Sequence, residues 1–447
     1  MDKYKKLGVA IAGIAVLCLG IYFLLEPKIA VDIPNLSRRS GEINPSSEFL
    51  NAQKAVEHYR DEIRKHPDAV KNYIELAQLF LQEARVTGND VEYLPKARSL
   101  LEEALRRDPE SFDAIITKAS MSLTMHQFLE AKQLLEKAIA RNPHNAFAYG
   151  VLCDAHVELG EYDEAVKASD KMISIRPDLR SYSRVSYLRE LHGGLKGARE
   201  AMKLACDAGV HGQENRAWAL YYLGKLFLEE GKLDTAAYIF NGILEERPNY
   251  AYALSGLAQV MGAQGGYDEA IRLLERAYKA TPEHLFLEQL ADIHRATGQF
   301  QSADSVIKKI LDTFEQDEQR GWNINREYAM LCANHEHNLP EALERAKTEY
   351  DRRPNNIDVL DTYAWALYKN GKASEAVPFV ERAMRLNTES SALHYRAGMI
   401  YYAAGQREKG FAYLKRSLNE NPFVHVLYVD SARKMISSLR NPSLTNK

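Results

Sequence analysis

The stretch "GEYDEA", Gly160 to Ala165, returns as "GGYDEA", Gly265 to Ala270, with the tyrosine and both carboxylates in the same order. Two adjacent carboxylates beside a tyrosine suit acid–base chemistry or cation binding, provided that they converge on one cleft. A recurring unit can instead be a building block, and then its surroundings recur with it. Here the surroundings do recur. A small residue stands at Ala97, Ala131, Ala165, Ala198, Ala236, Ala270, Ala303, Ala342, Ala376 and Gly410, at intervals of 33 to 39 that are most often 34. Pro109, Pro143 and Pro177 are 34 apart, as are Pro248 and Pro282, while Pro354 and Pro422 are separated by two such periods.

Within one period the apolar residues fall at helical spacing. In "AWALYYLGKLFLEEGKLDTAAYIFNGILEERPN", Ala217 to Asn249, one stripe is Leu220, Leu223, Gly224 and Phe227, and Gly231 ends that helix. A second stripe, Ala236, Phe240 and Ile243, runs to Pro248, which forbids further helix. Each period therefore predicts a helical hairpin. Gly224 and Ala236 remove bulk where the two helices cross, since a large side chain there would overpack by about 1–3 kcal/mol.

This spacing of Leu-Gly, Ala, Phe and Pro resembles the tetratricopeptide repeat. The resemblance covers residues 68 to 422 as ten units, with Ala55, Tyr59 and Pro67 as half a repeat in front. It implies an all-α, right-handed α-solenoid, elongated because each repeat contacts only its neighbours. The fourth unit departs from the pattern, reading "DAGVHGQEN" where the closing proline belongs, and the eighth has Arg326 and Ala329 where Trp and Leu are expected. In this frame Gly160 and Gly265 end first helices, and Tyr162 and Tyr267 fill the wedge between helices. Asp163, Glu164, Asp268 and Glu269 start second helices, where negative charge suits the dipole. The carboxylate pairs are structural.

The chain opens with residues 1–6, "MDKYKK", and then nineteen uncharged residues, Leu7 to Leu25. As a helix these span about 29 Å, the thickness of a bilayer core. A signal peptide would have a shorter apolar region and a small-residue cleavage site, whereas "YFLLEPKIAVD" follows. Residues 7–25 thus read as a transmembrane helix, with Lys3, Lys5 and Lys6 holding the N-terminus in the cytoplasm and the repeats on the far side, the periplasm in a bacterium. Residues 26–50 carry Pro27, Pro34 and Pro45 and read as an extended linker that leaves the orientation of the array (51–422) free; residues 423–447 read as a capping helix and tail.

The net charge of −3, with no run of Lys and Arg, gives no footprint for nucleic acid. Cys18 lies in the span and Cys153, Cys206 and Cys332 stand singly, so no disulfide framework is implied. Phosphate-binding loops, dinucleotide fingerprints, His-Glu-x-x-His and Cys-x-x-Cys are absent from the sequence, which points away from an enzyme, a cofactor or a small-molecule substrate. His335 and His337 in "NHEHN" are expected to be solvated turn residues.

What is left is a surface. The resemblance implies that first helices line a concave groove where protein segments bind. It places Tyr187, Trp218, Tyr221, Lys225 and Tyr252 along units four to six, and Glu288, Asp292, Glu327, Asp358, Asp361, Trp365, Tyr368 and Tyr395 along units seven to ten. Arg180, Arg184 and Lys225 then make one end basic, and the carboxylates make the other acidic. The expected function is a membrane-anchored scaffold or adaptor for an extended or helical partner segment in cell-envelope assembly. "RVSYLRELHGGLKGAREAM", Arg184 to Met202, with "ENRAWALYYLGKLF" behind it also resembles a group of bacterial anchored repeat proteins, which implies architecture and leaves the partner open.

An organelle import or cochaperone-type receptor is the rival within the binding class. Its carboxylate clamp of Lys, Asn and Arg is replaced here by Ile74, Gln78, Ile116 and Ser120. A repeat-scaffolded hydrolase or metal protein would draw on Glu327, Asp361 and the turn histidines. A reporter fused after Leu50 is expected to be active only across the membrane; activity of a cytoplasm-only reporter there would reverse the orientation.

Overall fold

The structure, a computed structural model, describes residues 35–37, 39, 47–423 and 425–440. The tail 1–6 and the expected span 7–25 lie outside the described residues, and no helix among the described residues is long and apolar enough to cross a membrane. The described residues form 22 helices and no strand. Helix α1 (Ser47–Lys65) is the half repeat. Ten hairpins follow: α2 (Val70–Thr87) with α3 (Asp90–Arg107), α4 (Phe112–Thr124) with α5 (Phe128–Arg141), α6 (Ala146–Leu159) with α7 (Tyr162–Ile175), α8 (Leu179–Leu191) with α9 (Leu195–Ala208) and α10 (Glu214–Glu229) with α11 (Leu233–Glu246). The remaining five are α12 (Ala251–Ala263) with α13 (Tyr267–Ala280), α14 (His284–Ala296) with α15 (Phe300–Gln319), α16 (Asn325–His335) with α17 (Leu339–Arg352), α18 (Ile357–Lys369) with α19 (Ala373–Ala383) and α20 (Ser391–Ala403) with α21 (Arg407–Glu420). Helix α22 (Val429–Arg440) closes the array.

Side chains start several of these helices: Asn145 accepts from the Ala148 N–H at 2.9 Å, and Asp178 forms a capping box with Ser181. Where the fourth unit lacks its proline, Gly209 in extended conformation ends α9 instead. Small residues set how closely the helices approach. A Cβ at Gly224 would lie 2.4 Å from the Phe240 ring, and one at Gly256 would lie 2.5 Å from the same ring. Fully buried Phe240 is thus a wedge from α11 into gaps left on both α10 and α12. One residue fastens a hairpin and also joins it to the next.

The array is not built from neighbour contacts alone, contrary to the expectation for a linear solenoid. His126 Nδ1 donates to the Asn323 carbonyl at 2.8 Å, Arg353 donates to the Glu158 carboxylate at 2.6 Å, and Asn356 donates to the Val157 carbonyl at 3.2 Å. The Ile357 N–H donates to the Tyr162 hydroxyl at 2.9 Å, and Asn421 donates to the Leu228 carbonyl at 3.0 Å. Arg247 pairs with Glu48 at 2.8 Å. These partners are 193 to 199 residues apart, between five and six repeats. The superhelix therefore completes a turn within that distance, and successive windings touch along a polar seam.

The described part of the expected linker is also fixed in place. Arg39 donates to both oxygens of Glu83 at 3.1 and 2.5 Å, with both side chains buried, and Leu36 is buried beside them. A buried guanidinium–carboxylate pair holds this segment on α2, because separating the two would strand a charge.

The two copies of the recurring stretch test the seam. Gly160 and Gly265 have φ of +75° and +81°, so any side chain at either costs about 1–2 kcal/mol in backbone strain. A Cβ at Gly160 would lie 2.2 Å from the Asn355 backbone, whereas at Gly265 it meets nothing within 4 Å. Gly265→Ala is expected to lower stability by that strain alone. Gly160→Ala should destabilise further and raise the radius of gyration in solution scattering; equal effects at the two sites would show that the windings do not touch.

Candidate functional site

Because the windings touch, the concave groove becomes a lumen, and first helices line its cavities. One of about 830 Å³ is bounded by Asp90, Arg180, Tyr252, Glu283 and Glu327. Another of about 540 Å³ lies between Glu229, Glu288 and Asp292 on one side and Phe423, His425 and Val426 on the other. A smaller one, about 180 Å³, is lined by Tyr187, Glu190, Glu229, Asp358, Asp361 and Arg396. A fourth, about 300 Å³, brings His126 and Glu158 against Arg326, Glu327 and Arg353 along the seam.

The residues expected in the groove divide by environment. Tyr187 and Asp358 are exposed to the lumen and share the small cavity. Tyr252 is half-buried and its hydroxyl donates to Glu283 at 2.5 Å. Trp218 is half-buried, its ring 4.2 Å from that of Tyr222, and Lys225 lies 5.3 Å from the same Tyr222 ring. Tyr221, Trp365 and Tyr395 are buried inside the array: Tyr221 packs against Phe240 and Tyr252, and the Trp365 indole N–H donates to Asn334 at 3.0 Å with Tyr368 stacked at 4.9 Å. Helical spacing places them on first helices, but neighbouring repeats cover Tyr221, and Tyr428 from the segment after the last repeat adds to the cover of Trp365 and Tyr395.

The expected separation of charge along the groove is largely cancelled by counter-ions. Asp361 is buried and takes a two-pronged bond from Arg396, with Nε 3.0 Å from each oxygen. Glu327 pairs with Arg326 at 2.9 Å, Glu288 with His284 at 2.8 Å, and Arg184 with Asp154 at 2.6 Å. Asp292 is buried between His335 at 3.1 Å and His425 at 3.3 Å. Burial would raise the Asp292 carboxyl, but the two imidazoles outweigh it and hold it down at about 2. His335, expected to be a solvated turn residue, is buried on this carboxylate. Two of these pairs stand about one repeat apart, Asp361 with Arg396 at 35 residues and Arg184 with Asp154 at 30, and for these opposite charges one period apart were a usable signal. His425 and Tyr428 belong to no repeat and left no such signal.

No hydrogen bond or ion pair within the described residues engages the carboxylates of Glu190, Glu229 and Asp358. Burial pushes Glu190 up to about 7 against the pull of Lys225, with Glu229 and Asp358 adding to the rise. Asp90 is pushed to about 6 by burial and then by Glu283 and Asp317. Burial opposes charge on His284, yet Glu288, Glu327 and Glu283 together lift it to about 8. Burial also pushes the Cys153, Cys206 and Cys332 thiols up to about 12, so they are protonated and poor nucleophiles at neutral pH.

Comparison with known proteins agrees with this architecture. Tetratricopeptide repeat family patterns match residues 122–189 and 227–284, residues 256–318, and residues 391–423. Over residues 122–189, 227–318 and 391–423 the chain matches tetratricopeptide repeats. Cellulose synthase operon protein C of Pseudomonas fluorescens is 28% identical over 168 residues, 36% of this chain and 13% of that protein. Lipopolysaccharide assembly protein B of Escherichia coli is 25% identical over 224 residues, 48% of this chain and 56% of that protein. The chain thus matches only a part of each curated relative. Among solved structures, a thermophilic tetratricopeptide protein of Thermus thermophilus is 20% identical, covering 46% of this chain and 100% of its own, with a TM-score of 0.37. Human IFIT1 in complex with PPP-AAAA is 14% identical, covering 83% and 90%, with a TM-score of 0.44.

The three shifted groups set a common pH dependence. Asp90 and Glu190 keep protons that an unfolded chain has already released above its ordinary carboxylate values of 3.8 and 4.5, so stability falls as pH rises toward about 6 and 7. The stability carried by charged His284 is complete below 6.5 and is lost as pH rises through about 8. The melting temperature is expected to be lower at pH 8.5 than at pH 5.5. Glu190→Gln should recover about 1–2 kcal/mol of the loss, and a melting temperature that rises over this range would contradict the assignments.

Proposed function

We propose that this chain is a scaffold that receives an extended protein segment in its lumen, held by the 7–25 span on the far side of a membrane and serving cell-envelope assembly. One observation carries the reading. Glu190, Glu229 and Asp358 stand around the small cavity with Tyr187 and have no ion-pair partner among the described residues, whereas Glu288, Glu327, Asp292 and Asp361 are paired. Unpaired carboxylates beside an accessible aromatic ring suit a basic, extended segment: the ring offers contact area and the charges steer approach. The buried, protonated thiols supply no nucleophile for a catalytic alternative. The name of the lipopolysaccharide assembly relative supports the envelope setting.

Photo-crosslinking in cells tests the location. A crosslinking residue at Tyr187 or Tyr252, each on the wall of a lumen cavity, is expected to capture a protein identifiable by mass. The same group at Tyr238, 80% exposed on a second helix, should capture none. Asp358→Asn should slow association with the captured partner and flatten its salt dependence. Capture from Tyr238 but from neither lumen position would move the site to the outer face.

A further inference from the structure

The residues after the last repeat turn back into the groove. Asn421 donates to the Leu228 carbonyl and anchors the turn at Pro422 to the preceding winding. His425 Nδ1 accepts from the Leu427 N–H at 3.3 Å, so its Nε2 carries the proton and donates to Asp292. Three residues on, buried Tyr428 stacks on Tyr395 with centroids 4.4 Å apart and planes at 10°. Its hydroxyl donates to Asn334 at 2.7 Å, and Asn334 also accepts from Trp365. The non-helical residues His425 to Tyr428 thereby engage Asp292, Trp365 and Tyr395, three of the residues the sequence assigns to partner binding. Under it lies the 540 Å³ cavity, bordered on its side by Phe423 and Val426 and opposite by Glu229 and Glu288.

We propose that the segment from Asn421 to Tyr428 is a tethered occupant of the groove, and that the partner is an extended protein segment of the same chemistry that competes with it. That chemistry is a hydrogen-bond-donating basic side chain for Asp292, a tyrosine three residues later for the Tyr395 face and Asn334, and apolar residues beside them for the cavity wall. The proposal rests on the reading of the lumen as the partner site and adds what the partner must present. A tethered segment acts at an effective concentration in the millimolar range, so a free competitor gains access only when it binds tightly or when the tethered copy is weakened. The cavity gives the displaced side chains of Phe423 and Val426 room to move without unwinding a repeat.

The probe is a fluorescein-labelled peptide with the sequence of residues 421–433, titrated onto the full chain by anisotropy. The unaltered chain is expected to bind weakly. His425→Ala with Tyr428→Ala should bind at least tenfold more tightly, and Asp292→Asn added to that pair should abolish the gain. Tyr428 is buried, so its loss can loosen the last repeat; His425→Leu, at a residue whose side chain is 34% exposed, removes the donor to Asp292 while leaving Tyr428 in place and should still give a several-fold gain. Equal affinity for the unaltered chain and for His425→Leu, with unchanged helicity, would overturn the proposal. Crosslinking from Tyr187 is independent of this segment, so capture there combined with a failed titration would leave the lumen reading standing and sink this one alone.

Discussion

The closure of one winding on the next governs the rest of the molecule. At its centre Arg353 and Asn356 reach the end of α6, where Glu158 and the carbonyls of Val157 and Glu158 accept their hydrogen bonds. A helix C-terminus leaves carbonyls without partners, and here the winding above supplies the donors. Tyr162 adds its hydroxyl as an acceptor for the Ile357 N–H, which is free at the start of α18. The seam is thus made by joining the unmatched end of one helix to the unmatched start of another. Without it the first helices would line an open trough; with it they enclose a lumen.

The seam is thin and mostly polar, with Ile357 joining the apolar cluster of Val157, Tyr162 and Leu188 on the facing winding. Each of its hydrogen bonds is worth about 0.5–1.5 kcal/mol net, whereas each hairpin buries a wedge such as Phe240 among close-packed neighbours. The two levels of structure therefore differ in strength. Repeats are held by continuous apolar packing, and windings by a row of hydrogen bonds and ion pairs together with a few apolar contacts such as Ile357 and Trp322. A scaffold that must admit an extended segment needs this hierarchy, since entry has to open the coil without unfolding a repeat.

Enclosure also explains the electrostatics. Charged groups on an open groove are solvated, but inside a lumen they must find partners or shift. Asp361 finds Arg396 on the next repeat and Asp292 finds His335 on the next repeat and His425 on the closing segment, while Glu327 and Glu288 pair within their own helices with Arg326 and His284. Glu190 does not, and burial raises it to about 7. The pairs that cross repeats hold the array in register, and Glu190 is left without an ion pair among the described residues, available to a cationic ligand that would draw off its proton.

The sequence by itself determined the repeat. Small residues every 34 positions, the closing prolines and the helical stripes state which residues face each other inside a hairpin, because those contacts are local and recur. The ten hairpins and the start of second helices at Asp163 and Asp268 were legible on that ground. Only the tertiary structure decided which faces of the hairpins meet again one winding later. "GEYDEA" and "GGYDEA" are nearly the same words, yet Gly160 lies against the backbone of Asn355 and Gly265 faces open space. The difference arises from the small rotation between successive repeats, summed over five or six of them, and no residue within either motif records that sum. For the same reason Trp365 read as a groove residue and is covered, while His425, outside any period, holds Asp292.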